Sequence, residues 1–318
     1  MGVDFNYYQK HTTNLLTLKT FENPVAGINN YWSNGGSMDN QGFEVTVTTK
    51  PVVSKDFNIE LGASVGHYEN KIKTLPNDDK LYVDGVKNAQ GYTSSIYGTD
   101  NIATIVGQPV GSFYGYKTAG VFATDAQAKA AGNNDYLYYL DETGAKQYFK
   151  AGDMHFVDIN KDGKIDEADK TVIGDPNPDI YGNIFGSVMW KNFTLTLGLN
   201  YSLGNDVYNY SRSVLESGSN FYNQTIAMAN RWRHEGQVTD MPRLSYGDPM
   251  GNARFSDRWI ENGSYLRLKT VNISYKVPVK GDWIQGLTIW AEANNLFTIT
   301  KYLGSDPEFS AANGVLYQ

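Results

Sequence analysis

Strict alternation of apolar and polar residues is the feature that most constrains the fold of this chain. From Phe193 to Tyr201 every second side chain is apolar, and the residues between them are Thr, Gly and Asn. A period of two predicts a β-strand with one apolar and one polar face. The run is about as long as a strand that crosses a bilayer at a tilt, which takes roughly 9–11 residues.

The same alternation recurs along the chain, in residues 1–10, 43–48, 57–65, 184–190, 271–277 and 287–298. Short polar segments at 51–56, 191–192 and 278–286 join these runs in pairs and predict antiparallel hairpins. Long irregular insertions at 74–170 and 203–262 separate the pairs, and the pattern predicts some eight to ten strands in all. Two short helices are expected inside the insertions, at 124–132 with Thr124 as N-cap and Gln127 completing a capping box, and at 223–233.

Short turns at one end and long loops at the other are the layout of an outer-membrane β-barrel. A soluble β-sandwich also has alternating strands and is the alternative. In each run, the residues that alternate with the apolar ones are polar throughout, as the wall of a water-filled lumen requires. Four aromatic residues fall toward strand ends, as in an interfacial girdle: Phe43, Trp190, Tyr201 and Tyr275. Both features favour the barrel.

Composition excludes several other classes. The mean hydropathy is -0.45 and no run of eighteen apolar residues occurs, so a membrane-spanning helix is not expected. The chain has 0 Cys, which excludes disulfides and thiolate sites, and a net charge of -7, which argues against nucleic-acid binding. Residues 1–4 show no secretory signal, so the chain is expected to be a mature chain or a fragment.

One segment has the spacing of a calcium-binding loop. Residues 158–169 place oxygen ligands at loop positions 1, 3, 5, 7, 9 and 12, with Gly163 at the sharp turn and Ile165 positioned to anchor the loop inward. Position 12 is an aspartate rather than the usual glutamate. The predicted ligands are Asp158, Asn160, Asp162, the carbonyl of Lys164, Asp166 and Asp169. We expect a structural Ca²⁺; an Asx-rich turn without metal is the alternative.

No catalytic constellation is recognisable. The four histidines have no metal-type spacing, and the acidic pairs at 78–79 and 141–142 lie in polar segments where solvated charges are expected. We therefore expect no enzyme activity. Many aromatic residues of the insertions could stack on sugars or hold peptide side chains, although most are expected to pack the loops: Trp32, Tyr92, Tyr97, Tyr114, Tyr116, Tyr136, Tyr138, Tyr139, Tyr208, Tyr210, Phe221 and Tyr222.

Several blocks of the sequence resemble the C-terminal part of the SusC/RagA-like TonB-dependent transporters. These blocks are Gly107–Phe122, Gly152–Asp153 with the calcium-like loop and Thr171–Pro178, Arg231–Trp232 with Pro242–Arg243, Ile260–Lys269, and Asn294–Gly304 followed by Asp306–Glu308. Their order and spacing extend over nearly the whole chain. The combination is specific, although each block alone is only moderately so.

The resemblance implies an antiparallel transmembrane β-barrel of about 22 strands in the bacterial outer membrane, surrounded by lipid and closed by an N-terminal plug. It also implies a SusD-like lipoprotein lid, energy supplied through TonB, and import of oligosaccharides or, in some members, peptides. The calcium-like loop would then be extracellular. Residues 1–318 lack the plug and the TonB-contacting segment, and the final strand is expected to be missing.

The sequence therefore predicts the C-terminal barrel portion of a TonB-dependent importer. Such a portion cannot transport alone, because its two open sheet edges would expose unpaired backbone groups to lipid. The alternative function is a soluble or surface-attached glycan-binding β-domain with a calcium-clasped loop.

Overall fold

The computed structural model describes residues 1–25, 28–76, 79–96, 99–132, 135–279, 281 and 283–308. Its strands are β1 Gly2–Val25, β2 Ile28–Val53, β3 Phe57–Thr74, β4 Lys80–Val83, β5 Val86–Ile96, β6 Thr99–Ile105, β7 Ser112–Tyr116, β8 Thr118–Val121, β9 Tyr138–Leu140, β10 Lys146–Tyr148, β11 Met154–Phe156, β12 Lys170–Gly174, β13 Ile180–Trp190, β14 Phe193–Leu203, β15 Asp206–Tyr208, β16 Ile260–Asn262, β17 Tyr265–Val277 and β18 Leu287–Thr300. The helices are α1 Asp125–Ala131 and α2 Tyr210–Leu215, with 3-10 turns at Glu167–Asp169, Ile226–Asn230 and Asp257–Trp259.

A seven-stranded antiparallel sheet, the main sheet, runs in the order β1-β2-β3-β13-β14-β17-β18. The hairpins predicted from alternation are present: Trp190 pairs with Phe193 across a two-residue turn in which Lys191 has a φ of 53°. The turn between β2 and β3 contains only residues 54–56. Within the described residues the main sheet has seven strands rather than eight to ten, and residues 309–318 lie outside them.

The register places every predicted apolar run on the same face of the main sheet. Leu195 lies opposite Val188 and Ile273, and Val45 lies opposite Phe5 and Val65. No other part of the described chain covers much of this face, so large apolar side chains on it are exposed: Val3, Phe5, Tyr7, Phe57, Leu61, Ile184, Trp190, Phe193, Ile273, Ile289, Phe297 and Ile299. A soluble protein rarely leaves a continuous apolar surface of this size uncovered.

The opposite face of the main sheet is largely polar, and one of its apolar interruptions, Phe185, has a packing reason; Met189 and Trp290 are others. Phe185 breaks the alternation of β13. Its ring lies over Gly62 of β3, where a Cβ would stand 2.2 Å from the ring. The aromatic ring fills the space that the glycine leaves open on this face.

Aromatic residues cluster at the end of the main sheet that carries the short turns. The rings of Trp190 and Phe193 are 6.5 Å apart, and those of Phe193 and Tyr275 are 4.5 Å apart. At the other end, Phe43 lies 5.7 Å from the ring of His67 and opposite Tyr7. Trp190, Tyr201 and Tyr275 therefore lie near strand ends as expected, whereas Phe43 lies inside β2, which continues beyond the apolar portion.

Two insertions leave the same end of the main sheet: residues 75–179 between β3 and β13, and residues 204–264 between β14 and β17. The prediction that they are irregular is wrong. The first contains a five-stranded sheet in the order β12-β7-β6-β5-β4 and two two-stranded sheets, β9-β10 and β8-β11, and β15 pairs with β16 in the second. Alternation could not reveal these strands because most of them are short and some, such as β7, are buried on both faces.

The insertions share a hydrophobic core. Phe122, Phe149 and Phe156 of the first insertion pack with Met250 of the second, and Phe113 packs with Trp259. The two insertions therefore form one body, called here the joined insertions.

The helices are minor parts of the joined insertions. Helix α1 has the predicted N-cap, since the Thr124 hydroxyl accepts a hydrogen bond from the backbone N–H of Gln127 at 3.2 Å. The Gln127 side chain accepts from the N–H of Ala123 rather than from that of Thr124, so the predicted capping box is displaced by one residue. The predicted helix at 223–233 is a 3-10 turn over Ile226–Asn230. No helix among the described residues is long and apolar enough to cross a membrane.

Candidate functional site

The calcium-like loop lies between β11 and β12, and its first aspartate organises its backbone. The Asp158 carboxylate accepts hydrogen bonds from the N–H groups of Lys161 at 2.7 Å, Asp162 at 3.2 Å and Gly163 at 2.7 Å. Gly163 has a φ of 81°, a conformation that glycine adopts at little cost. The chain thus turns tightly around the Asp158 side chain.

The next two predicted ligands continue this turn. The Asn160 side-chain oxygen accepts from the N–H of Asp162 at 3.0 Å, and an Asp162 carboxylate oxygen accepts from the N–H of Lys164 at 2.9 Å. Ile165 is buried, and its N–H donates to the carbonyl of Tyr138 at 2.8 Å. The expectation that Ile165 anchors the loop inward is confirmed.

The last two carboxylates of the loop have other partners. Asp166 pairs with the Lys164 ammonium and caps the 3-10 turn by accepting from the N–H of Ala168 at 2.8 Å. Asp169 is fully buried and accepts from the N–H groups of Ile159 and Asp166, both at 2.9 Å. Burial raises the pKa of the Asp169 carboxyl to about 6. Asp169 therefore closes the two ends of the loop through its backbone contacts.

The predicted ligands thus divide into two sets. Asp158, Asn160 and Asp162 gather around one turn, whereas Asp166 and Asp169 are engaged as described. Across the described ranges, no three His, Cys, Asp or Glu side chains converge as a preformed metal site.

An ion pair with a buried carboxylate, which sequence reasoning missed, connects the two insertions. Asp153 is fully buried, and its carboxylate accepts from Arg243 Nε at 2.8 Å and from Arg243 Nη2 at 3.0 Å. It also accepts from the N–H of Lys150 at 2.9 Å and from Asn252 Nδ2 at 3.0 Å. A bidentate pair with further donors satisfies the carboxylate in the interior.

The residues beside this ion pair also pack closely and hydrogen-bond to each other. Gly152 has a φ of 87°, and a Cβ there would stand 2.5 Å from the Trp232 ring. Trp232 Nε1 donates to the carbonyl of Ala123 at 3.2 Å, and the N–H of Arg243 donates to the carbonyl of Gly152 at 2.8 Å. The blocks 152–153, 231–232 and 242–243, which lie far apart in the sequence, therefore meet in one clasp.

Arg254 of the second insertion is enclosed by aromatic rings of the first. Its guanidinium carbon lies between 4.8 and 6.0 Å from four ring centroids, those of Tyr116, Tyr139, Phe149 and Phe156. Its Nε and Nη2 donate to the carbonyls of Gly251 and Met250, both at 3.0 Å. Cation–π contacts thus add to the contact between the insertions.

A second ion-pair cluster lies on the polar face of the main sheet. Arg267 of β17 donates to Thr298 Oγ1 at 2.9 Å and to Glu308 at 2.8 Å, and it also pairs with Asp306. Lys269 Nζ lies 3.0 Å from Glu308. The sequence blocks 260–269 and 306–308 therefore converge, and the segment after β18 folds back over the polar face.

The aromatic residues of the insertions divide as expected between core and surface. Tyr114, Tyr116 and Tyr208 are buried, whereas Phe221 and Tyr222 are exposed. Tyr246, which sequence reasoning missed, stacks on Phe221. The side chain of Trp32 and the whole of Tyr97 lie outside the described residues, as does Asp78 of one acidic pair. In the other pair, Asp141 is a turn acceptor whose pKa is lowered to about 2, first by its hydrogen bond from Thr143.

The chain is similar over nearly its whole length to TonB-dependent receptors. TonB-dependent receptor P3 of Formosa agariphila is 29% identical over 325 residues, which cover 98% of this chain and 29% of that protein. TonB-dependent receptor SusC of Bacteroides thetaiotaomicron is 30% identical over 290 residues, covering 86% of this chain and 24% of SusC. The chain therefore spans less than a third of the length of these relatives. No protein-family model matches it.

Solved structures agree with the fold. The RagAB peptide transporter superimposes with a TM-score of 0.70 at 23% identity, covering 96% of this chain and 30% of that one. The RagAB peptide importer in its 'open-open' state gives a TM-score of 0.71 at 23% identity, with 99% and 30% covered. The predicted resemblance to SusC/RagA-like TonB-dependent transporters and the predicted all-β fold of that barrel type are confirmed.

Proposed function

We propose that this chain supplies barrel wall and extracellular loops to a TonB-dependent importer in the bacterial outer membrane. The main sheet is the observation that supports this proposal, because it has one uncovered apolar face, one polar face, and both long insertions at the same end. In this assignment the apolar face contacts lipid and the polar face lines the lumen. The joined insertions then stand on the extracellular side, opposite the short periplasmic turns.

The depth of the apolar face supports this placement. Along β2 the residues from the turn at 54–56 up to Phe43 form the apolar portion, about the length of one tilted membrane-spanning strand. Aromatic residues bound this portion at both ends, with Trp190 and Phe193 on one side and Tyr7 and Phe43 on the other. The alternative of a soluble glycan-binding domain would leave this apolar face in water.

The partners and substrate of this importer are part of the proposal. A SusD-like lipoprotein covers the extracellular opening, and TonB supplies energy through a region outside these 318 residues. The substrate is an oligosaccharide or a peptide. Support comes from relatives that are named as TonB-dependent receptors and, for RagAB, as a peptide transporter, rather than as enzymes.

Uptake by living cells tests the proposed function. Cells that lack the gene are expected to lose uptake of a labelled oligosaccharide or peptide that wild-type cells import. The full-length gene should restore it only in cells with an intact TonB system. Restoration that is unchanged in a TonB-deficient strain would overturn the proposal.

We further propose that the loop 158–169 binds a structural Ca²⁺ through Asp158, Asn160, Asp162, the Lys164 carbonyl, Asp166 and Asp169. Carboxylate, amide and carbonyl oxygens are the donor set that calcium prefers, and the loop already turns around Asp158. Bound calcium would supply positive charge among these oxygens. Because Asp166 is paired with the Lys164 ammonium, calcium competes with that ion pair.

Calorimetry can check this site. Asp158→Ala is expected to abolish the calcium heat of the full-length protein. Lys164→Ala should strengthen binding several-fold, because it removes the competing ammonium and keeps the backbone carbonyl. Asp141→Ala is the matched control, since Asp141 is also a turn acceptor for backbone N–H groups but lies outside the loop. A wild-type titration without heat, or equal heats in wild type and Asp158→Ala, would contradict the proposal.

A further inference from the structure

An exposed group of aromatic rings lies on the second insertion, away from every contact described so far. Phe221, Tyr222 and Tyr246, called here the aromatic platform, are 91%, 76% and 75% exposed. The rings of Phe221 and Tyr246 are stacked, with centroids 5.0 Å apart and planes at 27°. Two stacked rings that contribute so little to the core have no evident structural role.

The backbone, rather than the rings, holds the platform together. The N–H of Ser245 donates to the carbonyl of Gly218 at 3.2 Å, and the N–H of Gly247 donates to that of Ser219 at 2.8 Å. Beneath them, a Cβ on Gly218 would stand 2.9 Å from a Leu244 methyl group, so the two segments pack closely. The rings are therefore presented on a formed surface and can be truncated without loss of these contacts.

The surface around the rings is polar but uncharged. A shallow depression is lined by the platform together with Gly218, Asn220, Gln224 and Leu244. No Lys, Arg, His, Asp or Glu side chain lines it within the described residues. By contrast, the depression beside the calcium-like loop is lined by Lys164, Asp166, Glu167 and Arg254.

This chemistry selects a class of ligand. An aromatic face packs against the C–H groups of a flat ring, and side-chain amides both donate and accept hydrogen bonds, as a row of hydroxyls requires. An anion offers charge, as a short peptide does at its termini and ionisable side chains, and the described residues of the depression include no charged side chain to pair with it. A neutral sugar chain offers apolar ring faces and hydroxyls together.

We infer that the aromatic platform binds a neutral oligosaccharide at the extracellular surface. This inference rests on the proposed function and deepens it by assigning the class of substrate. The platform holds the sugar chain by stacking on Phe221 and Tyr246, while Asn220 and Gln224 hydrogen-bond its hydroxyls. The ligand is captured at the insertion 204–264, before it reaches the lumen.

Binding measurements on the full-length protein in detergent test the inference. The probes are maltohexaose, cellohexaose, laminarihexaose and xylohexaose, with hexa-alanine as the peptide probe. At least one sugar is expected to bind. Phe221→Ala and Tyr246→Ala should each weaken it about tenfold, which corresponds to about 1.4 kcal/mol. Tyr246→Phe, which retains the ring, should bind nearly as the wild type does.

The matched control is Trp283→Ala. Trp283 is 99% exposed, like the platform, but lies in the turn after β17 at the opposite end of the main sheet. Its truncation should leave sugar binding unchanged.

Three results would overturn the inference: binding of none of the four sugars, sugar binding that survives both platform truncations, or a platform-dependent affinity for hexa-alanine. None of these results affects the TonB dependence of uptake in cells. Failure of the platform is therefore distinguishable from failure of the proposed function.

Discussion

Replacing Leu197 with arginine is expected to block assembly of the protein into the outer membrane. Leu197 lies midway along β14 on the apolar face, opposite Gly186 on β13 and Val271 on β17. An arginine at the bilayer midplane of a barrel costs about 2–4 kcal/mol. The measurement is the amount of full-length protein in purified outer membranes that shows the heat-dependent gel mobility of a folded barrel.

Thr196→Arg is the matched control for this prediction. Thr196 is the adjacent residue of β14 and points to the polar face, opposite Ser187 and Asn272. The same charge placed there should remain in water and leave assembly close to the wild-type amount. Wild-type assembly of Leu197→Arg would contradict lipid contact of the face that carries Leu197, and failure of both variants would contradict a water-filled polar face.

Replacing Arg243 with alanine is expected to separate the joined insertions locally. The change leaves the buried Asp153 carboxylate with only the N–H of Lys150 and the amide of Asn252 as donors. Removing one partner of a fully buried ion pair typically costs about 3–5 kcal/mol, and because the Arg243 side chain is 36% exposed we expect a cost at or below the lower end of that range. Hydrogen exchange should therefore accelerate by up to about two orders of magnitude at the amide of residue 243, which donates to the carbonyl of Gly152.

Arg233→Ala separates this effect from the general loss of an arginine. Arg233 is exposed, and its side chain donates a hydrogen bond to the carbonyl of Ala229, so its removal should change stability by less than about 0.5 kcal/mol. Unchanged exchange in Arg243→Ala would mean that the shared hydrophobic core alone holds the insertions together.

The main sheet could be predicted from the sequence because its strands have one apolar and one polar face. In such a strand the polarity of each residue indicates the face on which it lies. The runs around Phe193 and Val271 contain enough alternations to fix both the face and the hairpin partner. The extension of β1 and β2 beyond the apolar portion could not be predicted. There the sequence does not alternate between apolar and polar residues, as the adjacent Leu15 and Leu16 show, so no period of two marks the strand.

The joined insertions were mostly beyond sequence reasoning. Strand β7 is buried on both faces, so it shows no alternation, and it is too short for its composition to be informative. The calcium-like loop was found because its residues are contiguous. Asp153 and Arg243 are separated by 90 positions. Neither residue carries a local signal of its partner.

The clasp between Asp153 and Arg243 has a mechanical consequence. The first insertion is tied to β3 and β13, the second to β14 and β17, and β13 and β14 are themselves paired. While this ion pair is formed, the main sheet and the two insertions are connected in a closed ring of contacts. Neither insertion can then move outward without the other. Any opening on this side must move both insertions as a unit, or take place at a part of the rim that this chain does not build.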